Sequence, residues 1–440
     1  MLAVAAAACI SCKGIPEEFT LQAGDSVFST EEYTDFQLTA QFLAKDNTVA
    51  SVLFASDGSA AKGYEVAICN GAIDGSCKTG SLLSVRNLYR SLAEDGQWSD
   101  LSIRVFGKNI SILVNGVQVV NYTEPQKPFR LEEYAGRILG EGCIGFSCSE
   151  GAVEFRNVGI SPDAVLAEGE SIPEASDEQN DRIIRLQQEF FPVIDYHVHL
   201  KGGLTKEMAH EMSMRYGINY GVAPNAGEGG VGRMLADDAE VYEYFEEVKP
   251  LPFLCGVQGE GRKWTRTFSQ EALGVFDYLF TDAMTIKDHK GRNARIYRPE
   301  EVHYDGITLD GYMEQIVDQT VKILTNEPAD IYANPTFLPE ALNAEYDKYW
   351  TDDRINRVLD VLEQNNIALE INPRYRIPSF KIINMAKDRG IKFTFGTNNA
   401  DADFGRLEYC LDAIDSCGIT ASDIWFPSLS TRKDRPVILY

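Results

Sequence analysis

Histidine is scarce in this chain: there are five in 440 residues, and none precedes His197. Imidazole chemistry is therefore excluded from the N-terminal part. The cysteines and histidines show no zinc-finger spacing, so a structural zinc site has no support. Basic residues are also in deficit, with 41 Lys+Arg against 66 Asp+Glu. A net charge of -25 repels a phosphate backbone and excludes nonspecific nucleic-acid binding. The apolar run Leu2 to Ile10 at the start is too short to span a bilayer.

What is present describes a core-forming protein. Hydrophobic residues make up 44% and aromatics 10%, which is ordinary globular composition. At roughly 150 residues per domain, the length implies two or three domains. The apolar start ends in Ser11-Cys12-Lys13, which resembles the cleavage site of bacterial lipoproteins, with Cys12 as the lipidated residue. Residues 1–16 are thus expected to be a signal segment, and the protein to be exported to the periplasm or cell surface, touching membrane only through the lipid. An oxidising compartment would allow Cys69 to pair with Cys77, and Cys143 with Cys148. Cys410 and Cys417 lie seven apart in a helical pattern, about 10 Å along the axis and beyond disulfide reach.

Residues 17–160 read as short alternating strands: Gln37 to Leu43, Ser51 to Ala55, Tyr64 to Cys69, Leu101 to Phe106, Ile110 to Val114 and Val153 to Ile160. Turn signals such as Gly107-Lys108-Asn109 and Asn115-Gly116 separate them, which predicts an antiparallel sandwich. Residues 161–180 are rich in Pro, Ser, Glu and Asp with no apolar period, the pattern of a solvated linker. From 181 to 440 strands alternate with amphipathic helices. The strands are Val193 to Leu200, Asn219 to Ala223, Phe253 to Val257, Tyr278 to Ile286, Ile331 to Pro335, Ala368 to Asn372, Lys392 to Gly396 and an eighth at Ile424 to Pro427. Seven or eight such units form a β/α barrel, whose active site lies where the strands end.

In the first half, Gly63-Tyr64-Glu65-Val66, Trp98, Gly107-Lys108-Asn109-Ile110, Val114-Asn115-Gly116, Gly145-Phe146 and Glu154-Phe155-Arg156-Asn157-Val158 together resemble the 3-keto-disaccharide hydrolase family. The resemblance implies a concanavalin-like sandwich and a carbohydrate context. Family members carry histidine where this chain has Ile110-Ser111-Ile112-Leu113, so the sandwich reads as a glycan-binding or packing module. Tyr64, Glu65, Arg86, Tyr89 and Trp98 are its expected surface contacts.

In the second half, the strand Val193-Ile194-Asp195-Tyr196-His197-Val198-His199-Leu200 places His197 and His199 on one face at its carboxyl end, where two imidazoles can share a metal. With Gly256-Val257-Gln258-Gly259-Glu260, Ala333-Asn334-Pro335, Leu369-Glu370-Ile371-Asn372 and Gly396-Thr397-Asn398, this segment resembles the polymerase and histidinol phosphatase (PHP) family of metal-dependent phosphoesterases. By position, His197 and His199 match its first metal motif and Glu260 the carboxylate after the third strand. Asn334 and Asn398-Asn399-Ala400 stand where the family has further ligands. The resemblance therefore implies one divalent ion, zinc, manganese or magnesium, held by His197, His199 and Glu260, rather than a trinuclear cluster.

Basic residues gather in the loops after the strands. Arg262, Lys263 and Lys287, with Arg266, Lys290, Arg292 and Arg295, follow the third and fourth, and Arg374 and Arg376 follow the sixth. Together with Asn334, Asn372 and Asn398 they form the expected substrate site for a sugar phosphate or sugar acid. Asp282, His289 and Glu370 are the expected general acids or bases. The expectation is a metal-dependent hydrolase of a carbohydrate-derived, anionic substrate. The alternatives are a non-catalytic glycan-binding lipoprotein with a degenerate barrel, and a keto-sugar lyase.

Overall fold

The computed structural model describes residues 14–59, 62–166, 169–227, 232–262 and 264–427. Cys12 and Lys263 lie outside the described residues. Two compact units result: one comprises the chain up to Val193 with the short stretches Glu211–Ile218 and Pro250–Pro252, the other the remainder.

The first unit contains ten strands: β1 (Phe19–Gln22), β2 (Ser26–Tyr33), β3 (Phe36–Ala44), β4 (Val49–Ser56), β5 (Tyr64–Ile68), β6 (Ser99–Phe106), β7 (Asn109–Val114), β8 (Val117–Thr123), β9 (Gly142–Glu150) and β10 (Ala152–Ser161). They form a six-stranded sheet, β1-β10-β3-β6-β7-β8, and a four-stranded sheet, β2-β9-β4-β5. Alternation sets the faces: Leu38, Ala40 and Phe42 are buried, while Thr39 between them is exposed. Phe146 of one sheet meets Phe155 of the other edge-to-face at 4.9 Å, within the core between the sheets. The β7–β8 hairpin turns through Asn115 and Gly116, both at positive φ, as a two-residue turn between twisted strands requires.

Several expectations for this unit fail. Tyr64 and Tyr89 are 0% and 1% exposed, and Arg86 is buried as well, because their aromatic and aliphatic surfaces serve the core rather than a sugar. The Trp98 ring is covered by the Arg156 guanidinium at 3.9 Å. Among the described residues the cysteines are free thiols. Cys143 and Cys148 share β9 at an odd spacing, so they point to opposite faces and cannot bond. The segment expected to be a solvated linker has no helix or strand after Ser161 and is largely exposed among its described residues; it is fastened at Glu178, which is buried and whose carboxylate accepts from Tyr122, from the Phe129 amide and from Arg130.

The second unit is a closed barrel of seven parallel strands: β11 (Ile194–Val198), β12 (Asn219–Val222), then, after two short strands β13 (Asn225–Gly227) and β14 (Met234–Leu235), β15 (Leu254–Glu260), β16 (Tyr278–Thr281), and, after the hairpin β17 (Thr285–Lys287) and β18 (Asn293–Arg295), β19 (Ile331–Tyr332), β20 (Ala368–Ile371) and β21 (Phe393–Phe395). The ring closes through β12–β15 and β11–β21 pairing. The eighth strand expected at Ile424 to Pro427 reduces to one bridge from Ile424 to Phe393. The expected strand Tyr278 to Ile286 ends at Thr281, and the chain resumes in the hairpin. Helix Leu309–Asn326 is capped by Thr308, and Asp352–Asn365 by Thr351 and by Asn366 in the left-handed region. No helix among the described residues is long and apolar enough to cross a membrane.

Candidate active site

The carboxyl ends of the barrel strands surround a cavity of about 300 Å³. Its charged and polar wall comes from His199, Lys201, Glu260, Asp282, Tyr297 and Arg374, with Gln258, Asn334 and Asn398 between them. Strand geometry delivers them: β15 ends in Gln258-Gly259-Glu260, Asp282 follows β16 and Asn334 follows β19. Arg262, Asn334, Thr336, Arg376 and Asn398 at the strand ends all hold positive φ, a costly backbone state that clusters at functional sites.

Hydrogen bonds divide the two acids. Asp282 is 3% exposed; its Oδ2 accepts from Gln258 Nε2 at 3.2 Å and Asn334 Nδ2 at 3.3 Å, and its Oδ1 from the Met284 amide at 3.0 Å. Burial holds its carboxyl above the usual range, opposed by Arg262 and by these donors, which favour the ionised form. The Asn334 amide is itself fixed, since its oxygen accepts from Asn372 Nδ2 at 3.0 Å and Asn398 Nδ2 at 2.9 Å. Glu260 is 8% exposed and receives no side-chain hydrogen bond from the described residues. Burial first, and the Asp282 charge second, hold its carboxyl well above the usual range, against the pull of Arg262 and Lys201. Lys201, beside Arg374, is brought down to about 8, mainly by burial.

The histidines behave differently from one another. His197 is 1% exposed; its Nδ1 faces Glu370 Oε2 at 2.7 Å and its Nε2 faces Gln258 Oε1 at 3.1 Å. Nδ1–H donates to the Glu370 carboxylate, and Nε2 is turned to the Gln258 amide. His199 bonds the Ala223 carbonyl through Nδ1 at 2.8 Å, which leaves Nε2 toward the cavity. Burial holds its pKa well below the usual value. For a resident divalent ion the fit is incomplete: both ring nitrogens of His197 face protein groups, Glu370 and Gln258, and no group of three or more His, Cys, Asp or Glu side chains among the described residues could hold a metal.

The remaining expected residues divide between the cavity and elsewhere. Glu370, 1% exposed, lies beneath the cavity as the acceptor for His197, the Asn334 amide and Asn372 Nδ2. Arg374 Nη1 donates to the Asn398 carbonyl and faces the cavity. Arg262 instead pairs with buried Glu327 at 3.0 Å. Lys287 is exposed and outside the cavity. His289 contacts the Asp305 carbonyl, also outside. Lys290, Arg292 and Arg295 are paired with Asp305, Asp288 and Glu301. Of the expected basic cluster, Arg374 thus reaches the cavity, while Lys201, Gln258 and Tyr297 join it without having been expected there. The Lys201-Gly202-Gly203 turn was the available signal for Lys201.

Residues 13–161 match the family described as the 3-keto-alpha-glucoside-1,2-lyase-like domain. No curated protein matches the chain. Among solved structures, the chain is similar to a protein of Parabacteroides distasonis ATCC 8503 provisionally named a glycosyl hydrolase, at 13% identity and a TM-score of 0.30, covering 33% of this chain and 80% of that one. It is also similar to the carbohydrate-binding module CBM66 of Bacillus subtilis, at 17% identity and a TM-score of 0.25, covering 32% and 85%. Sheep galectin-11 is similar at 14% identity and a TM-score of 0.21, covering 33% and 99%.

Proposed function

We propose that the protein, whose sandwich is a 3-keto-disaccharide hydrolase-like and hence carbohydrate-related domain, is a hydrolase in which a PHP-like barrel cleaves an anionic carbohydrate. The observation that carries this reading is the cavity lined by two unequal carboxyl groups facing Lys201 and Arg374. Asp282, held by three donors, is the base; Glu260, free of donors among the described residues, is the acid. Lys201 and Arg374 hold the substrate's carboxylate or phosphate. Glu260 protonates the departing oxygen as its bond to carbon breaks, and Asp282 removes a proton from the water that bonds to that carbon. The proton then passes back from Asp282 to Glu260 through water. Gln258, Asn334, Asn372 and Asn398 orient Asp282 and touch no reacting atom.

The lyase reading is favoured by one observation, the description of the family matched by the sandwich. Product analysis of oligogalacturonates incubated in oxygen-18 water tests both. Hydrolysis incorporates the label, and elimination gives an unlabelled, unsaturated product. A parallel reaction with a chelator tests metal dependence: activity is expected to survive, and its loss restored by zinc, manganese or magnesium would return a divalent ion to His199 and Glu260. Absence of turnover of oligogalacturonates and sugar phosphates alike, with or without added metal, would overturn the enzyme reading in favour of a glycan-binding protein.

A further inference from the structure

The two cations at the barrel cavity stand close together in the ring, Lys201 after β11 and Arg374 after β20, with β21 between them. Like charges repel, and this chain carries 66 Asp+Glu against 41 Lys+Arg, yet neither cation is joined to a carboxylate by an ion pair among the described residues. Something other than a counter-ion holds them. Arg374 Nη1 donates to the Asn398 carbonyl at 2.7 Å. Lys201 depends on the next residue, Asn399.

Strands β11 and β21 pair at Asp195 and Phe395, and β21 ends there. Asn398 still donates its amide to the His197 carbonyl at 2.8 Å, but it lies at positive φ, which turns the backbone out of the ladder. The Asn399 side chain takes over. A carboxamide offers an acceptor and donors in one plane, as a peptide group does. Its Oδ1 accepts from the His199 amide at 2.7 Å, and its Nδ2 donates to the His199 carbonyl at 3.0 Å and to the Asp401 carbonyl at 2.9 Å. Asn399 is 1% exposed, so these bonds are made in a low-dielectric setting with little competition from water.

The three bonds bracket Lys201 from both sides. Before it, the same His199 carbonyl accepts the Lys201 amide at 2.9 Å and closes the turn. After it, Gly202 lies at positive φ against the Asp401 backbone, so close that a Cβ would come within 2.7 Å of the Asp401 Cα. Asn399 fastens that Asp401 segment as well.

We propose that Asn399 is the positioning residue of the anion site. It does not line the cavity; it sets the affinity for a carboxylate or phosphate by holding the turn from which Lys201 reaches the cavity beside Arg374. The inference rests on the reading that Lys201 holds the substrate's anion. Without the carboxamide the link between His199 and Asp401 is lost, and a lysine on a loosened turn must be ordered anew when the anion arrives, at the expense of affinity.

The test is a double-mutant cycle on the full chain: calorimetric titration of trigalacturonate into the wild type, Asn399→Ala, Lys201→Ala and the double variant. Circular dichroism checks folding, and hydrogen exchange reports on the turn. Asn399→Ala is expected to bind about tenfold more weakly, and Lys201→Ala about tenfold or more. Because Asn399 acts through one lysine, the losses should not add: in the Lys201→Ala background, Asn399→Ala should cost no more than about twofold. Exchange at residues 199–203 should accelerate in Asn399→Ala while β15 and β16 stay protected. Should Asn399→Ala not fold, Asn399→Ser, whose hydroxyl can hold a bridging water, completes the same cycle. Unchanged affinity in a folded Asn399 variant, or fully additive losses, would overturn the proposal by showing that Asn399 supports only the fold. A wild type that does not bind trigalacturonate would overturn the anionic-carbohydrate reading of the barrel instead. Exchange would then decide the clamp, with acceleration at 199–203 upholding it and unchanged protection there overturning it.

Discussion

Replacing Glu370 perturbs the floor of the barrel cavity in a way that can be worked out group by group. Its Oε1 accepts from the Asn334 amide at 2.8 Å and from Asn372 Nδ2 at 3.0 Å, and its Oε2 faces His197 Nδ1 at 2.7 Å. All its partners are donors, and the side chain is 1% exposed. Alanine strips the acceptor from three buried donors, and at about 1–3 kcal/mol per unsatisfied group, with partial relaxation, the loss is about 3–5 kcal/mol. Glutamine retains one acceptor oxygen for Asn334 and Asn372, and its NH2 can donate to His197 Nδ1 if the ring gives up that proton. His197 then carries its proton on Nε2, toward Gln258, and only charge assistance is lost, about 1–2 kcal/mol. Urea unfolding followed by fluorescence suits the measurement, because Trp264 and Trp350 are buried in the barrel. Nitrogen NMR of the five histidines supplies the second readout: His197 should carry a proton on Nδ1 in the wild type and lose it in Glu370→Gln. A loss under 1 kcal/mol in Glu370→Ala, or a wild-type ring lacking the Nδ1 proton, would refute this wiring.

Other perturbations give separate checks. Gly396→Ala would bring a Cβ within 2.2 Å of Glu370 Oε2, so about 1–3 kcal/mol of overpacking is expected, whereas Gly140→Ala meets nothing within 4 Å and should stay within about 0.5 kcal/mol by urea titration. Glu178→Ala leaves buried Arg130 unpaired and should cost the sandwich about 3–5 kcal/mol, read by hydrogen exchange of β8. Asp288 would be raised by burial, but hydrogen bonds from the Arg292 amide and guanidinium and the Lys290 amide hold it down at about 2. A depressed carboxyl stabilises the fold above its ordinary 3.8 and loses that contribution as pH falls toward 2. Amide exchange at Lys290 and Arg292 should accelerate through that window, and unchanged protection would count against it.

The sequence was most readable where one face of a strand meets the core. Gln37 to Leu43 and Leu101 to Phe106 alternate cleanly and lie within β3 and β6. β9 escaped notice because Gly142-Cys143-Ile144-Gly145-Phe146-Ser147 carries glycine and small polar residues at strand positions, which carry little strand propensity. In the barrel, His199, Glu260, Asn334, Arg374 and Asn398 reach one cavity because they follow strand ends, a rule that needs only strand positions. Pairing was harder to read. Asp288, Glu301 and Asp305 lie a few residues from the basic cluster they neutralise, but which cation points inward depends on how the β17–β18 hairpin folds back. Lys201 was missed for a longer-range reason: a Cβ on Gly202 would lie 2.7 Å from the Asp401 Cα, so this turn is shaped by a loop distant in sequence. Gln258 was missed because a neutral amide in a strand has no motif; its role exists only through His197 and Asp282.

The central claim is that Glu260 and Asp282 act as acid and base on an anionic carbohydrate in the barrel cavity. Its most direct test is the kcat for reducing-end release from oligogalacturonate by the wild type and by Glu260→Gln and Asp282→Asn, each confirmed folded. Each variant should lose about 10²–10⁴ in kcat, the scale of a positioned general acid or base, with KM changed far less. Either variant turning over at the wild-type rate would contradict the claim.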